Sequence, residues 1–197
     1  MSPTRGTDST RERIVAAATA EFARHGIAGA RIDRIAKNAK TSKERVYAHF
    51  ASKEDLYRVI SAQELAAIAE ATRMDPADLP GYAGRVHDYF RAHPERHRIM
   101  QWGQLELGSA GSPPDEAIRQ TVAHKVEQVR QAQEAGLINA GWAPLDVLVL
   151  VNQIATSWVG QPGFDAEQDP GVAAARRATV VAAVERLFPA AGGAPEA

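Results

Sequence analysis

Apolar residues recur along this chain at intervals of three and four, which is the spacing of one face of an α-helix. The first such stretch begins at a capping box formed by Ser9 and Glu12, carries Ile14 and Phe22 on its apolar face, and reaches Gly26. Glycine there suits the left-handed conformation that closes many helices. No stretch alternates apolar and polar residues as a half-buried strand would. The pattern therefore predicts an all-α protein.

Further capping residues, first-turn prolines and terminal glycines divide the chain into about nine helices. The predicted helices cover about residues 9–26, 31–38, 41–50, 52–74, 82–92, 94–107, 115–138, 144–160 and 170–188. Prolines and a glycine at residues 76–81 break this series after the fourth helix. We predict an N-terminal three-helix domain over residues 1–55 and a larger helical domain over residues 56–197.

The composition is that of an ordinary globular chain, with 45% hydrophobic and 24% charged residues among 197. There is no cysteine, which excludes disulfides, thiolate metal sites and a cysteine nucleophile. Charged residues interrupt the region where a secretory signal needs an apolar run. The uncharged run from Val147 to Phe164 contains too many polar residues for a membrane span. We expect a soluble, cytoplasmic protein with no membrane partner, cofactor or metal.

The formal net charge of −1 hides a difference between the two ends of the chain: residues 1–60 carry +5 and residues 61–197 carry −6. A basic end is typical of a surface that meets a polyanion. That end also contains two short predicted helices joined by a tight turn: one over residues 31–38, and one that begins with Thr41 or Ser42 as its N-cap and ends near Phe50. This arrangement places a recognition helix in the major groove of DNA.

Helical spacing divides the residues of the second short helix into two sets. Val46 and Phe50 are four residues apart and are expected to face the core. The outward side chains are donors suited to phosphates and base edges, namely Ser42, Lys43, Arg45, Tyr47 and His49. The spacing therefore predicts a DNA-recognition surface, although cations on a short helix are also common on an ordinary solvated face.

Three short runs of sequence carry a more specific signal: Ile35-Ala36-Lys37, then residues 42–50 with their Tyr-x-His-Phe, then residues 52–56, which read Ser-Lys-Glu-Asp-Leu. Together they resemble the N-terminal DNA-binding domain of the TetR (tetracycline-repressor-like) family of bacterial transcriptional regulators, over about residues 11–60. The resemblance implies a helix-turn-helix repressor that binds a palindromic operator in double-stranded DNA and is released by a small-molecule effector.

The resemblance also implies roles for individual residues. Lys43 and Arg45 would reach base edges or nearby phosphate, and Tyr47 and His49 would contact phosphates. Lys53 would meet a phosphate at the start of the fourth helix, where the helix dipole favours an anion. The full predicted DNA-binding set, from the resemblance and from the residues themselves, is Arg31, Thr41, Ser42, Lys43, Arg45, Tyr47, His49 and Lys53.

The chain departs from the family pattern near the turn. Lys40 stands where a glycine is usual, which costs roughly 1 kcal/mol if that position is left-handed. Ala30 and Arg31 stand where two threonines are common, so a good N-cap is absent and a cation that suits phosphate is present. Glu44 and Arg45 occupy positions that vary within the family, so the operator sequence does not transfer.

For the C-terminal half, the resemblance implies an all-helical domain that forms a homodimer through its last two helices. The predicted helix 144–160 is apolar on nearly every side, so one side needs a cover beyond the chain's own core. The last helix offers small residues for close approach, and two helices from each subunit would complete a symmetric interface. The predicted interface residues are Leu148, Val151, Ala155, Ala178, Val181 and Val184. A monomer that buries both helices internally is the alternative.

The resemblance further implies a ligand pocket among the middle helices. Aromatic residues with a few polar tips cluster on the fifth, sixth and eighth predicted helices, and apolar walls with few polar groups are typical of ligand sites. The candidates are Tyr82, Tyr89, Phe90, His97, Met100, Gln101, Trp102, Leu105, Gln153 and Trp158. Such a lining favours an apolar or aromatic effector over a highly charged one, and plain core packing is the alternative for each residue.

Two other classes of function have little support. His93 and His97 are four residues apart, but Pro94 begins a helix between them, so they do not share a face as zinc ligands would. The sequence contains no HExxH, P-loop, GxGxxG or nucleophile-elbow motif. We therefore expect no enzyme. A helical scaffold or small-molecule-binding protein without DNA binding remains the second hypothesis, and salt-dependent DNA affinity separates it from a regulator.

Overall fold

The computed structural model describes residues 4–107, 116–161 and 169–189, and within these ranges it contains α-helices and no β-strand. The all-α prediction is confirmed. The helices are α1 (Thr4–Gly29), α2 (Ile32–Asn38), α3 (Lys43–His49), α4 (Lys53–Ala71), α5 (Leu79–Ala92), α6 (Pro94–Glu106), α7 (Glu116–Glu134), α8 (Pro144–Thr156) and α9 (Pro170–Leu187). A 3-10 turn, Pro76–Asp78, precedes α5. None of these helices is long and apolar enough to cross a membrane.

Helix α1 differs from its prediction at the start but not at the glycine. Its backbone is helical from Thr4, so Ser9 lies inside the helix, where its hydroxyl accepts a hydrogen bond from Arg13 Nη1 at 3.1 Å. The capping box predicted at Ser9 is therefore wrong. Gly26 has φ 68° and ψ −177°, which interrupts the helix and places residues 27–29 in a separate last turn. The prediction that Gly26 ends the regular helix is confirmed.

Helix α7 ends earlier than its apolar pattern predicts. Gly136, with φ 71°, terminates it, and the Leu137 N–H donates to the Ala132 carbonyl at 2.8 Å in the pattern of a helix-closing turn. Gly141, which the sequence favoured as the stop, lies in the connection to α8. Helix α7 therefore ends just before Gly136, the first glycine that follows it in the sequence.

The described helices belong to two compact units, Met1–Leu65 with Glu95–Asp115, and Ala66–Pro94 with Glu116–Ala197. This division differs from the predicted one because α6 belongs to the first unit. The Tyr57 hydroxyl on α4 donates to the Ile99 carbonyl on α6 at 2.8 Å, and Ile99 is fully buried. The functional boundary at residue 55 stays a prediction.

The core of the first unit fixes the orientation of the two short helices. Ile14 and Phe22 of α1, Ile35 of α2 and Val46 of α3 are all essentially inaccessible to solvent. Phe50, directly after α3, is also buried. Because both predicted inward residues of α3 are in this core, the opposite face of α3 lies outward.

In the second unit, α5 packs against both α8 and α9. Gly84 permits the close approach of α9, because a Cβ there would lie 2.8 Å from Arg177 Nη2 and 3.2 Å from Val181 Cγ2. The Arg177 guanidinium binds Asp88 one turn further along α5, with a distance of 2.7 Å from Nε to Oδ2. Buried apolar residues of α5 and α8, such as Val86 and Val147, complete the core.

Candidate nucleic-acid interface

The turn between α2 and α3 uses a left-handed lysine. Lys40 has φ 52° and is the one non-glycine residue with positive φ in the described ranges. The Thr41 N–H donates to the Ala36 carbonyl at 3.0 Å, which closes α2 as glycine-terminated helices close. Arg13 Nε of α1 donates to the Ala39 carbonyl at 3.1 Å and holds the end of α2 from the side. The sequence analysis predicted backbone strain at Lys40 if this residue is left-handed. Because it is left-handed, that strain is present.

Side-chain caps define the starts of the next two helices. Ser42 Oγ accepts from the Arg45 N–H at 3.2 Å, so Ser42, not Thr41, is the N-cap of α3. At the start of α4, Ser52 Oγ accepts from the Asp55 N–H at 3.0 Å, and Asp55 Oδ2 accepts from the Ala51 N–H at 3.1 Å.

Helix α2 lacks a side-chain cap at Arg31, as its sequence predicts, and a buried carboxylate of α1 replaces it. Glu21 Oε1 accepts from the Arg31 N–H at 3.0 Å and from Arg34 Nε at 2.7 Å. Burial alone would raise the pKa of Glu21, but these hydrogen bonds and the nearby charges of Arg34 and His25 lower it below 4.5. Sequence reasoning missed this role; a charged residue on the apolar face of α1 was the available signal.

The outward face of α3 carries the predicted donors. Ser42, Lys43, Arg45 and Tyr47 are exposed, and Tyr47 has 46% of its surface accessible. Lys43 Nζ lies 3.2 Å from Asp33 Oδ1 of α2; this hydrogen bond and the carboxylate charge raise the pKa of Lys43. Both partners are largely exposed, so the ion pair between Lys43 and Asp33 is weak.

The remaining predicted DNA-binding residues are less uniform. Arg31 is exposed, whereas Thr41, His49 and Lys53 are half-buried. Lys53 Nζ donates to the Ala28 carbonyl at 3.1 Å and to the Ala30 carbonyl at 3.4 Å, so two of its three donors already serve the chain. A phosphate contact by Lys53 depends on the third donor. All eight predicted residues belong to the first unit.

The predicted pocket residues fall into both units. In the second unit, Tyr82 and Phe90 are buried, and Tyr89 and Trp158 are half-buried. The Tyr82 hydroxyl accepts from Lys125 Nζ at 2.9 Å and donates to Asn152 Oδ1 at 3.2 Å. This polar group was not predicted, because neither Lys125 nor Asn152 stands out in the local pattern.

The other pocket candidates lie mostly on α6, in the first unit. His97, Met100 and Trp102 are half-buried, and burial lowers the pKa of His97. Gln101 and Leu105 of α6, and Gln153 of α8, are exposed. Their part in a ligand pocket stays a prediction.

The predicted dimer residues require a correction. Leu148, Val151, Ala155 and Val184 are buried within the second unit, so they offer almost no surface to a partner. Ala178 is exposed and Val181 is half-buried. Two apolar residues that the prediction omitted, Leu145 and Val149, are 49% and 47% exposed one turn apart on α8. A helix that is apolar all round has two apolar stripes, and the sequence did not distinguish the inner one from the outer one.

Comparison with known proteins agrees with this architecture along the chain. Residues 14–60, from α1 to α4, match the family described as bacterial regulatory proteins, tetR family. Residues 78–186, from the 3-10 turn to α9, match the tetracyclin repressor-like C-terminal domain.

Individual relatives cover nearly the whole chain. The chain is 37% identical over 186 residues to the HTH-type transcriptional repressor SCO4008 of Streptomyces coelicolor, covering 88% of this chain and 96% of that protein. The crystal structure of another Streptomyces coelicolor transcriptional regulator, SCO4942, is similar at a TM-score of 0.80 and 55% identity, over 91% of this chain and 98% of that one. The fatty acid degradation regulator FadR from Bacillus halodurans, 16% identical, is similar in fold with a TM-score of 0.65 over 86% and 97% of the two chains.

Proposed function

This chain belongs to the TetR family of bacterial transcriptional regulators, and we propose that it binds a palindromic operator as a homodimer and is released from it by a small-molecule effector. One observation carries the proposal. Helix α3 is capped by Ser42 and anchored in the core by Val46, while its opposite face presents Lys43, Arg45 and Tyr47 to solvent. Its relatives are transcriptional repressors, which supports a regulatory role in the cytoplasm and no catalytic one.

The proposed contacts follow from the chemistry of the exposed side chains. Arg45 projects from the middle of α3 and has the planar donor pair that binds guanine in the major groove. In the proposed complex, the Lys43 ammonium leaves Asp33 and binds a DNA phosphate. Tyr47 and His49 donate hydrogen bonds to the DNA backbone. Arg31, Thr41, Ser42 and Lys53 flank this surface and complete the proposed set.

The homodimer is supported by apolar surface in the second unit that stays about half exposed to solvent. Leu145 and Val149 form an exposed stripe on α8, and Ala178 of α9 is exposed and small enough for close helix approach. A two-fold interface uses the same patch on both subunits. Two copies of α3 would then read half-sites about 34–36 Å apart.

The effector site is proposed in the second unit, around the buried aromatic rings of Tyr82 and Phe90. The hydrogen bonds among Tyr82, Lys125 and Asn152 supply a polar end to an otherwise apolar environment. This combination suits a small apolar or aromatic molecule with one polar group. Helix α4 contributes residues to both units, so a ligand-dependent change in α4 is the proposed route to the DNA-binding end.

Selection from a random duplex library tests the proposal, because the selection itself recovers the operator sequence. The wild-type protein is expected to enrich a palindrome and to bind it with strong salt dependence. Arg45→Ala should weaken binding of that duplex about 5- to 150-fold, since a lost bidentate base contact is worth about 1–3 kcal/mol.

Arg91→Ala, at an exposed position of α5 in the second unit, is the matched control and should bind as the wild type does. Enrichment of no duplex, or equal binding by Arg45→Ala and wild type, would refute the proposal.

A further inference from the structure

The segment 26–30, which comprises the last turn of α1 from Gly26 onward and the first residue beyond the helix, determines where the helix-turn-helix begins. We call it the α1–α2 link. Gly26 leaves helical geometry with φ 68°, and α2 starts at Ile32, two residues after the link ends. Ala30 is buried, so the end of the link is embedded in the core of the first unit. Any change in the link therefore shifts α2 and the recognition helix that follows it.

Helix α6 holds one side of this link. Glu106 Oε2 accepts a hydrogen bond from the Ala28 N–H at 2.6 Å. One turn earlier, the Trp102 ring covers Gly26, so closely that a Cβ at Gly26 would lie 3.0 Å from two ring carbons and would overlap the Glu106 carboxylate. Residues 102 and 106 are four apart, so they act from the same face of α6.

A positively charged side chain, that of Lys53, binds carbonyl oxygens of the α1–α2 link. Lys53 Nζ, at the start of α4, donates to the Ala28 carbonyl at 3.1 Å and to the Ala30 carbonyl at 3.4 Å. The peptide groups around Ala28 are thus bound by a carboxylate on one side and an ammonium on the other. Charge-assisted hydrogen bonds of this kind are stronger than neutral ones.

Helix α6 is itself firmly attached to α4 within the first unit. Ile99 is fully buried, and its carbonyl accepts from the Tyr57 hydroxyl at 2.8 Å. Gly103 makes room for that hydroxyl, since any side chain there would overlap it. Arg96 Nε lies 3.0 Å from Glu64 Oε2 of α4. The helix that carries Glu106 is therefore held against α4 by buried contacts.

We propose that Glu106 is a positioning residue for operator binding: through the Ala28 N–H it fixes the α1–α2 link and so the placement of α2 and α3 against DNA. The inference deepens the proposed function and rests on it. It assigns to α6 a part in DNA recognition that the sequence, which gave α6 to the effector pocket, did not predict.

Electrostatics and positioning predict opposite signs for the removal of Glu106. A carboxylate in the DNA-binding unit repels phosphates, so charge alone predicts that both Glu106→Ala and Glu106→Gln bind DNA more tightly. Positioning predicts weaker binding for Glu106→Ala and nearly normal binding for Glu106→Gln, because the glutamine oxygen can still accept from Ala28. Glu106→Asp keeps the charge but is too short to reach Ala28, so it should behave as the alanine variant does.

The experiment combines operator affinity with amide hydrogen exchange. Fluorescence anisotropy on the selected duplex should show about a tenfold loss for Glu106→Ala and Glu106→Asp, and no more than about a twofold change for Glu106→Gln. The slope of affinity against salt should stay the same, since no phosphate contact is removed. Glu12→Gln removes an exposed carboxylate of α1 and serves as the charge control; it should bind equally or more tightly.

Hydrogen exchange should accelerate about tenfold at the Ala28 amide in Glu106→Ala, while amides of α8 in the second unit stay unchanged. Unaltered exchange at Ala28 would overturn the role of Glu106 even if the wild type binds its operator normally. Equal or tighter operator binding by Glu106→Ala would overturn it as well. If the wild type enriches no duplex, the proposed function is refuted. The role of Glu106 in operator binding is then refuted as well, because it rests on that function.

Discussion

Replacing Lys40 by glycine should stabilise the protein, because the lysine occupies a left-handed position in the turn before α3. Its φ of 52° brings Cβ against the backbone, at a cost of about 1–2 kcal/mol for residues other than glycine. Glycine also gains freedom in the unfolded chain, which offsets about 0.4–1 kcal/mol. The expected net gain is about 0.5–1 kcal/mol. The hydrogen bond from Thr41 N–H to the Ala36 carbonyl involves only backbone and should persist.

Urea unfolding followed by circular dichroism measures this gain, with every variant at one protein concentration because a dimer's stability depends on it. Lys40→Ala keeps the Cβ and removes the charge, so it separates strain from electrostatics and should show no gain. Lys40→Asn should fall between alanine and glycine, because asparagine tolerates this conformation better than most residues. A glycine variant no more stable than the alanine variant would refute the assignment of strain to Lys40.

Three further predictions concern a cap, a buried charge and the dimer surface. Ser42→Ala should cost about 1 kcal/mol of stability in urea unfolding, because the first turn of α3 loses its cap; no loss would contradict the capping role. Glu21→Gln should cost about 1.5–3 kcal/mol at pH 7. Since the pKa of Glu21 is lowered in the fold, its contribution is present above 4.5 and is lost as pH falls through the folded pKa, so the gap from wild type should close in acid. A gap that persists in acid would contradict this. Val149→Asp should shift the proposed homodimer toward monomer in sedimentation, whereas Arg91→Asp, at an exposed position of α5, should not; an unchanged dimer would exclude Val149 from the interface.

Local patterns in the sequence were sufficient for the helices and for the two faces of α3. Apolar spacing, first-turn prolines and Gly26 gave the order of the helices, because each signal acts within one or two turns of chain, although the start of α1 and the end of α7 differ from their predicted positions. The inward positions of Val46 and Phe50 followed from the same periodicity.

Interactions between distant residues were not predictable in this way. Glu21 caps α2 from ten residues away, and Glu106 binds Ala28 from 78 residues away. Neither spacing leaves a periodic signal. For the same reason α6 was assigned to the pocket by its aromatic content, although Ile99 and Gly103 attach it to α4 in the first unit.

The outer stripe of α8 shows a different limit. Periodicity identifies a helix as apolar. It does not show which apolar stripe packs against the rest of the same chain and which stays exposed. The structure buries Leu148 and Val151 and leaves Leu145 and Val149 exposed, so the surface available to a partner is displaced from the predicted one.

A hydroxyl-radical footprint of the wild-type protein on its selected duplex tests the central claim most directly. If two copies of α3 enter successive major grooves, the footprint should contain two symmetric protected patches about 10–10.5 base pairs apart, and Arg45→Ala should weaken both together at a protein concentration that just saturates the wild-type site. A single protected patch, or protection unchanged by Arg45→Ala, would contradict the account.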